Sequence, residues 1–146
     1  MPQTSPSRAG KQTAADVRVS PTRTAVAAFL VALGIAWMAV YINIGADGGS
    51  TWAWMADLGR WNFLIGWVLI FLGLTVAAHP ATPLGRGRGV VVAMLGCFII
   101  GLAWIVLFYI TAQDQIIPLM KNLGNYNLVV GIGFMAVGFV YATHWE

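Results

Sequence analysis

Charge is what this chain has least of. Only 9% of its 146 residues are Asp, Glu, Lys or Arg, against about a quarter in soluble domains. Four long stretches, Ala25–Ile44, Trp61–Ala78, Val90–Ile110 and Tyr126–Ala142, contain none. A charge at mid-membrane costs about 2.5–3.5 kcal/mol on the insertion scale, so a lipid-embedded segment avoids it. With 59% apolar residues, few polar side chains remain to coat a surface, which excludes a water-covered globule. Strand-like alternation is also missing, which excludes an outer-membrane barrel. Cysteine occurs once, at Cys97, so no intrachain disulfide or cysteine-pair metal site can form. Its expected role is that of a small packing residue between helices.

The four apolar stretches approach or reach the roughly 20 residues that cross a hydrocarbon core as helix. The expected fold is an all-α membrane protein with four transmembrane helices. The first is expected to be a retained span, because its polar leader is long and its apolar run exceeds the ~7–15 residues of a signal peptide.

The formal net charge is +3, yet its distribution argues against nucleic acid as a partner. Arg8, Lys11, Arg18, Arg23, Arg86 and Arg88 precede the first stretch or lie between the second and third; only Arg60 and Lys121 occupy the other two loops. The positive-inside rule then puts both termini and the Arg86/Arg88 loop in the cytoplasm. There the arginines meet anionic lipid head groups.

The sequence also repeats itself. Met55–Ala56–Asp57–Leu58–Gly59–Arg60–Trp61–Asn62 returns 65 positions later as Met120–Lys121–Asn122–Leu123–Gly124–Asn125–Tyr126–Asn127. The register holds through Gly66/Gly131, Gly73/Gly138, Ala77/Ala142 and His79/His144. Gly34–Ile35–Ala36–Trp37 matches Gly101–Leu102–Ala103–Trp104 at an offset of 67, and a two-residue loop difference reconciles the offsets. Each unit carries two apolar stretches, so both insert the same way, as two parallel-repeat helical hairpins.

The expected organisation is a disordered basic cytoplasmic tail (1–24), a first hairpin (25–79), a cytoplasmic linker (80–89) and a second hairpin (90–146). Ser, Thr, Ala, Pro and Arg without apolar periodicity mark the tail. Pro80, Pro83, Gly85 and Gly87 mark the linker as a tight return. The outer loops, around 45–60 and 111–125, hold apolar groups without the length to cross. Short interfacial segments suit them, with Trp52, Trp54 and Trp61 at head-group level.

Residues kept in both copies are the candidates for function. Gly66, Gly73 and Ala77 correspond to Gly131, Gly138 and Ala142, and their spacing puts each trio on one helix face. Such a face serves close helix packing or docks a partner's helix, and spacing alone leaves both open. Ala28, Ala32 and Ala36, and Gly89, Ala93, Cys97 and Gly101, form weaker small-residue stripes. Trp37 and Trp104 lie deeper than an aromatic belt and are expected to pack. In the Leu-Gly-x-aromatic-Asn element, Gly59 and Gly124 suit a sharp turn. Trp61 and Tyr126 suit the interface, and Asn62 and Asn127 suit either free backbone groups or an external partner. His79 and His144 mark helix C-terminal ends, where the dipole favours them. Neither has the further ligands that a metal needs.

At these residues the chain resembles the CrgA-type cell-division membrane proteins of high-GC Gram-positive bacteria. Trp54–Met55–Ala56–Asp57–Leu58–Gly59–Arg60–Trp61–Asn62 follows the family's element leading into its second span. The second copy keeps Met120, Leu123, Gly124 and Asn127, with Tyr126 for the second Trp and Leu119 where the first would stand. His144–Trp145 is similar to the family's short ending. A typical member has one hairpin, so this chain looks like a tandem fusion.

The resemblance implies a non-catalytic scaffold or regulator of septum formation in the bacterial plasma membrane, enriched at the septum. The implied partners are membrane lipids, divisome and cell-wall-synthesis membrane proteins, and FtsZ, with homo-oligomerisation left open. No cofactor or metal is expected.

The alternative is a small four-helix transporter or channel for a neutral solute. Coupled transport usually leaves an ionisable residue inside the membrane, and these stretches have none. An enzyme is further off, since no nucleophile–base or paired-carboxylate set shares one depth. Asp57 and Asp114 fall at unmatched loop positions.

Overall fold

A computed structural model describes residues 18–45, 53–111 and 116–144 of the protein. Trp52, Asp114, Trp145 and most of the tail, including Arg8 and Lys11, lie outside the described residues. Among the described residues there are six α-helices: α1 (Pro21–Val40), α2 (Ala53–Leu58), α3 (Trp61–Ala77), α4 (Arg88–Thr111), α5 (Pro118–Leu123) and α6 (Tyr126–Ala142). The last turn of α1 widens into a π segment, Tyr41–Gly45. Pro21 opens α1 at a position that needs no N–H donor, and Ser20 caps it. The helix thus begins inside the segment read as tail.

The all-α class stands, but among the described residues two helices, not four, are long and apolar enough to cross a membrane. Pro21–Ile44 and Arg88–Thr111 each run 24 residues, with mean hydropathy 2.3 and 2.8. The other two, α3 and α6, have 17 residues each. At 1.5 Å per residue that is about 25 Å, short of a ~30 Å hydrocarbon core. Hydropathy located both helices to within one residue, but stretches that only approach ~20 residues do not by themselves make spans. Gly59 and Gly124, at φ +50° and +52°, reverse the chain just before α3 and α6 and set where they begin. After Ala77 the buried Thr82 hydroxyl donates to the carbonyls of Ala77 and His79 and accepts from the Gly85 N–H, which ends α3 in a tight return.

In each half the long helix packs along the short one: α1 on α3, α4 on α6, with α3 also touching α6. The helices therefore stand in the order α1, α3, α6, α4. One apolar core, with Met38, Phe63, Trp67, Ile70, Leu123, Val130 and Phe134, joins the halves toward the α2/α5 end. A second, with Ala78, Val90, Cys97, Val137 and Tyr141, joins them toward the opposite end. Described basic residues divide likewise: Arg18, Arg23, Arg86 and Arg88 at one end, Arg60 and Lys121 at the other.

Candidate functional site

The repeated element folds into the same small device in both halves. Gly59 and Gly124 supply the positive φ that lets a six-residue helix (α2 or α5) turn directly into a long apolar one, a conformation that glycine adopts without steric cost. The asparagine three residues on then clasps the turn. Nδ2 of Asn62 donates to the carbonyls of Met55 at 2.7 Å and Gly59 at 3.0 Å. Nδ2 of Asn127 donates to Met120 at 2.7 Å and Gly124 at 2.8 Å. Both asparagines are fully buried, so each acts within its own half and neither side chain reaches an external partner. Their Oδ1 atoms are buried without a hydrogen-bond partner in either copy.

Around the clasp, Met55, Met120 and Leu123 are buried, and Leu58 is half-buried. The aromatic positions point the other way. Trp61 is 65% exposed, Trp54 48% and Tyr126 40%. Trp54 also lies against Trp37, with ring centroids 5.8 Å apart.

Gly66, Gly73, Gly131 and Gly138 all face the long helix of their own half. Their partners include Gly34, which the sequence left unassigned, and Gly101, which it placed only in a weaker stripe. A Cβ on Gly34 would stand 2.5 Å from the Gly66 carbonyl oxygen, and one on Gly101 would stand 2.7 Å from that of Gly131. Met38 covers Gly66 as Ile105 covers Gly131. The helices thus cross at Gly34/Gly66 and again at Gly101/Gly131, backbone against backbone. The matched Gly-x-x-Trp runs at offset 67 carried that signal. Ala77 is buried, and Ala142 is half-buried.

Contacts between the halves use different residues. Trp67 meets Trp104 edge-on at 5.2 Å and Phe134 at 5.7 Å, and Phe71 meets Phe134 at 5.2 Å. The Phe71 ring lies over Gly133 so closely that a Cβ there would collide with it. The Tyr141 hydroxyl donates to the Leu74 carbonyl at 3.0 Å. The deep tryptophans have therefore parted: Trp37 packs on Trp54 within the first half, while Trp104, with Leu119 at the corresponding position of its own half, packs on Trp67 across the junction.

Remaining polar groups are local. Nδ1 of His79 accepts from the Ala81 N–H at 3.1 Å, and Nδ1 of His144 lies 2.8 Å from the Val140 carbonyl. Among the described residues no three His, Cys, Asp or Glu side chains group as metal ligands. Arg60 and Lys121 line one cavity of about 370 Å³ together with Tyr41, Phe63 and Asn122.

Glycine crossings, buried asparagine clasps and outward aromatic rings define a multi-pass helical membrane protein built from contact surfaces. The family described as Cell division protein CrgA matches the chain twice, over residues 1–79 and 82–146. The chain belongs to that family, as a duplicated member. A Streptomyces avermitilis relative is 49% identical over 63 residues, which is 43% of this chain and 71% of the relative. One from Corynebacterium aurimucosum is 31% identical over 62 residues, 42% of this chain and 66% of its own. One from Corynebacterium glutamicum is 35% identical over 55 residues, 38% and 59% respectively. Each carries the name Cell division protein CrgA, and each alignment covers less than half of this chain. No solved structure matches it significantly. Membership makes this a non-catalytic membrane protein of bacterial cell division, which sets the transporter and channel alternative aside.

Proposed function

We propose that the chain is a septal scaffold, with both termini cytoplasmic, that holds division and cell-wall-synthesis membrane proteins against one another. The observation that carries this reading is the pairing of a rigid clasp with an exposed ring in each half. Asn62 and Asn127 spend their donors on fixing the turn, and Trp61 and Tyr126 project from it. Rings held this way lose little freedom on binding, which favours recognition. The excess of arginines at the opposite end supports the cytoplasmic orientation. The tail, which includes Arg8 and Lys11, is the segment available to cytosolic division factors such as FtsZ.

A fluorescent fusion is expected to gather at midcell, and depletion to change cell length or septum placement. Even membrane fluorescence together with undisturbed division would contradict the proposal.

A further inference from the structure

The first half carries a cavity where its sequence diverges from the second. Between α1 and α3 runs an apolar groove of about 460 Å³, lined by Ala28, Val31, Ala32, Ile35, Leu74 and Ala77 among others. At the register of the repeat, Val31 corresponds to Phe98 and Leu74 to Phe139. Those two phenylalanines pack edge-to-face at 5.1 Å in the second half, and the Phe98 ring lies over Gly138, 3.3 Å from where a Cβ would be. An aromatic pair thus stands where the first half has the smaller Val31 and Leu74; Val31 itself closes over Gly73, and the groove opens beside it.

The groove leads to a basic end. The Ser20 N–H donates to the Ala81 carbonyl at 2.7 Å and holds the start of α1 against the return loop. Thr24, Thr82 and Pro83 line the cavity there. Arg23, in the first turn of α1, and Arg88, at the start of α4, are both exposed at this end. Among the described residues the sole carboxylate side chain is Asp57, in α2 at the opposite end; Asp16, Asp47, Asp114 and Glu146 lie outside them.

We propose that this groove binds one anionic phospholipid, with an acyl chain along α1 and α3 and the phosphate at the Arg23/Arg88 end. Charge argues for an anionic lipid, because Arg23 and Arg88 are exposed at this end and no carboxylate side chain lies there among the described residues. Lipid tails are as apolar as the groove walls, so burial alone gives no selectivity. Preference comes from the head group, through a basic pocket at the membrane surface.

The test is native mass spectrometry of the full chain released from phosphatidylcholine vesicles containing a minor fraction of phosphatidylglycerol. One phosphatidylglycerol is expected to stay bound per chain, preferred over phosphatidylcholine by about tenfold or more. Val31→Phe copies the second half's own solution and is expected to reduce retention about tenfold. Ala32→Phe, at an exposed position, is expected to do the same and serves if Val31→Phe fails to fold, with helix content by circular dichroism as the check. Arg23→Ala with Arg88→Ala is expected to remove the preference while lipid is still retained. Unchanged retention in both groove variants would overturn the site. Equal retention of the two lipids by the parent chain would overturn it as well, as would a stable dimer that Val31→Phe dissociates. None of these results bears on midcell localisation.

Discussion

Asn62 and Asn127 each exchange two water hydrogen bonds for two backbone ones inside an apolar core. Their presence at a helix start, and their fitness for free backbone groups, were legible from the repeated element. Their burial was not, because it depends on α2 and α5 folding back over them. Asn62→Ala or Asn127→Ala removes two buried side-chain hydrogen bonds to the turn and is expected to cost about 1–3 kcal/mol, read as earlier unfolding in mixed detergent titrations. Asn62→Asp faces the same carbonyls with an acceptor in place of a donor and is expected to be worse than alanine. Equal stability of the aspartate and parent proteins would contradict the clasp. Gly59→Ala meets no neighbouring atom within 4 Å, so its expected cost is backbone strain alone, about 1 kcal/mol.

Along whole helices, small residues divide into those that set a crossing and those that do not. Gly34, Gly66, Gly101 and Gly131 stand where backbones touch, whereas a Cβ on Gly96 would meet nothing within 4 Å. Gly66→Ala and Gly131→Ala are expected to force α1 from α3 and α4 from α6, costing about 1–3 kcal/mol from overpacking. Gly96→Ala is expected to be neutral or to stabilise by up to about 1 kcal/mol through helix propensity. Thermal unfolding in one detergent ranks all three. The repeated Gly66 and Gly131 were visible as faces in the sequence, but spacing could not say which helix they met. Counting spans was the weaker inference. The apolar stretches marked the bounds of α3 and α6 to within one residue, but 17 residues fall short of the roughly 20 that cross the hydrocarbon core.

In the whole molecule, duplication and divergence have separate jobs. Residues matched between the copies close each half: Gly34/Gly66 with Gly101/Gly131, and Asn62 with Asn127. Apart from Trp104, which matches Trp37, residues that differ between the copies join the halves. Phe71 stands where the second half has Ala136, Gly133 where the first has Val68, and Tyr141 where the first has Val76. A symmetric dimer would need one self-complementary surface, so the junction is a specialised contact between unlike halves. That is why comparing the copies revealed the fold of each half and stayed silent on how the halves meet. Tyr141→Phe is expected to cost about 1 kcal/mol by removing the bond to Leu74, seen as faster exchange of α3 and α6 amides near it. The scaffold reading itself is tested most directly by photo-crosslinking in dividing cells, with a photoreactive residue at exposed Trp61 or at buried Phe63. We predict adducts with membrane proteins of division and cell-wall synthesis from Trp61 and none from Phe63; adducts with lipid alone from Trp61, or the same captured proteins from both positions, would contradict it.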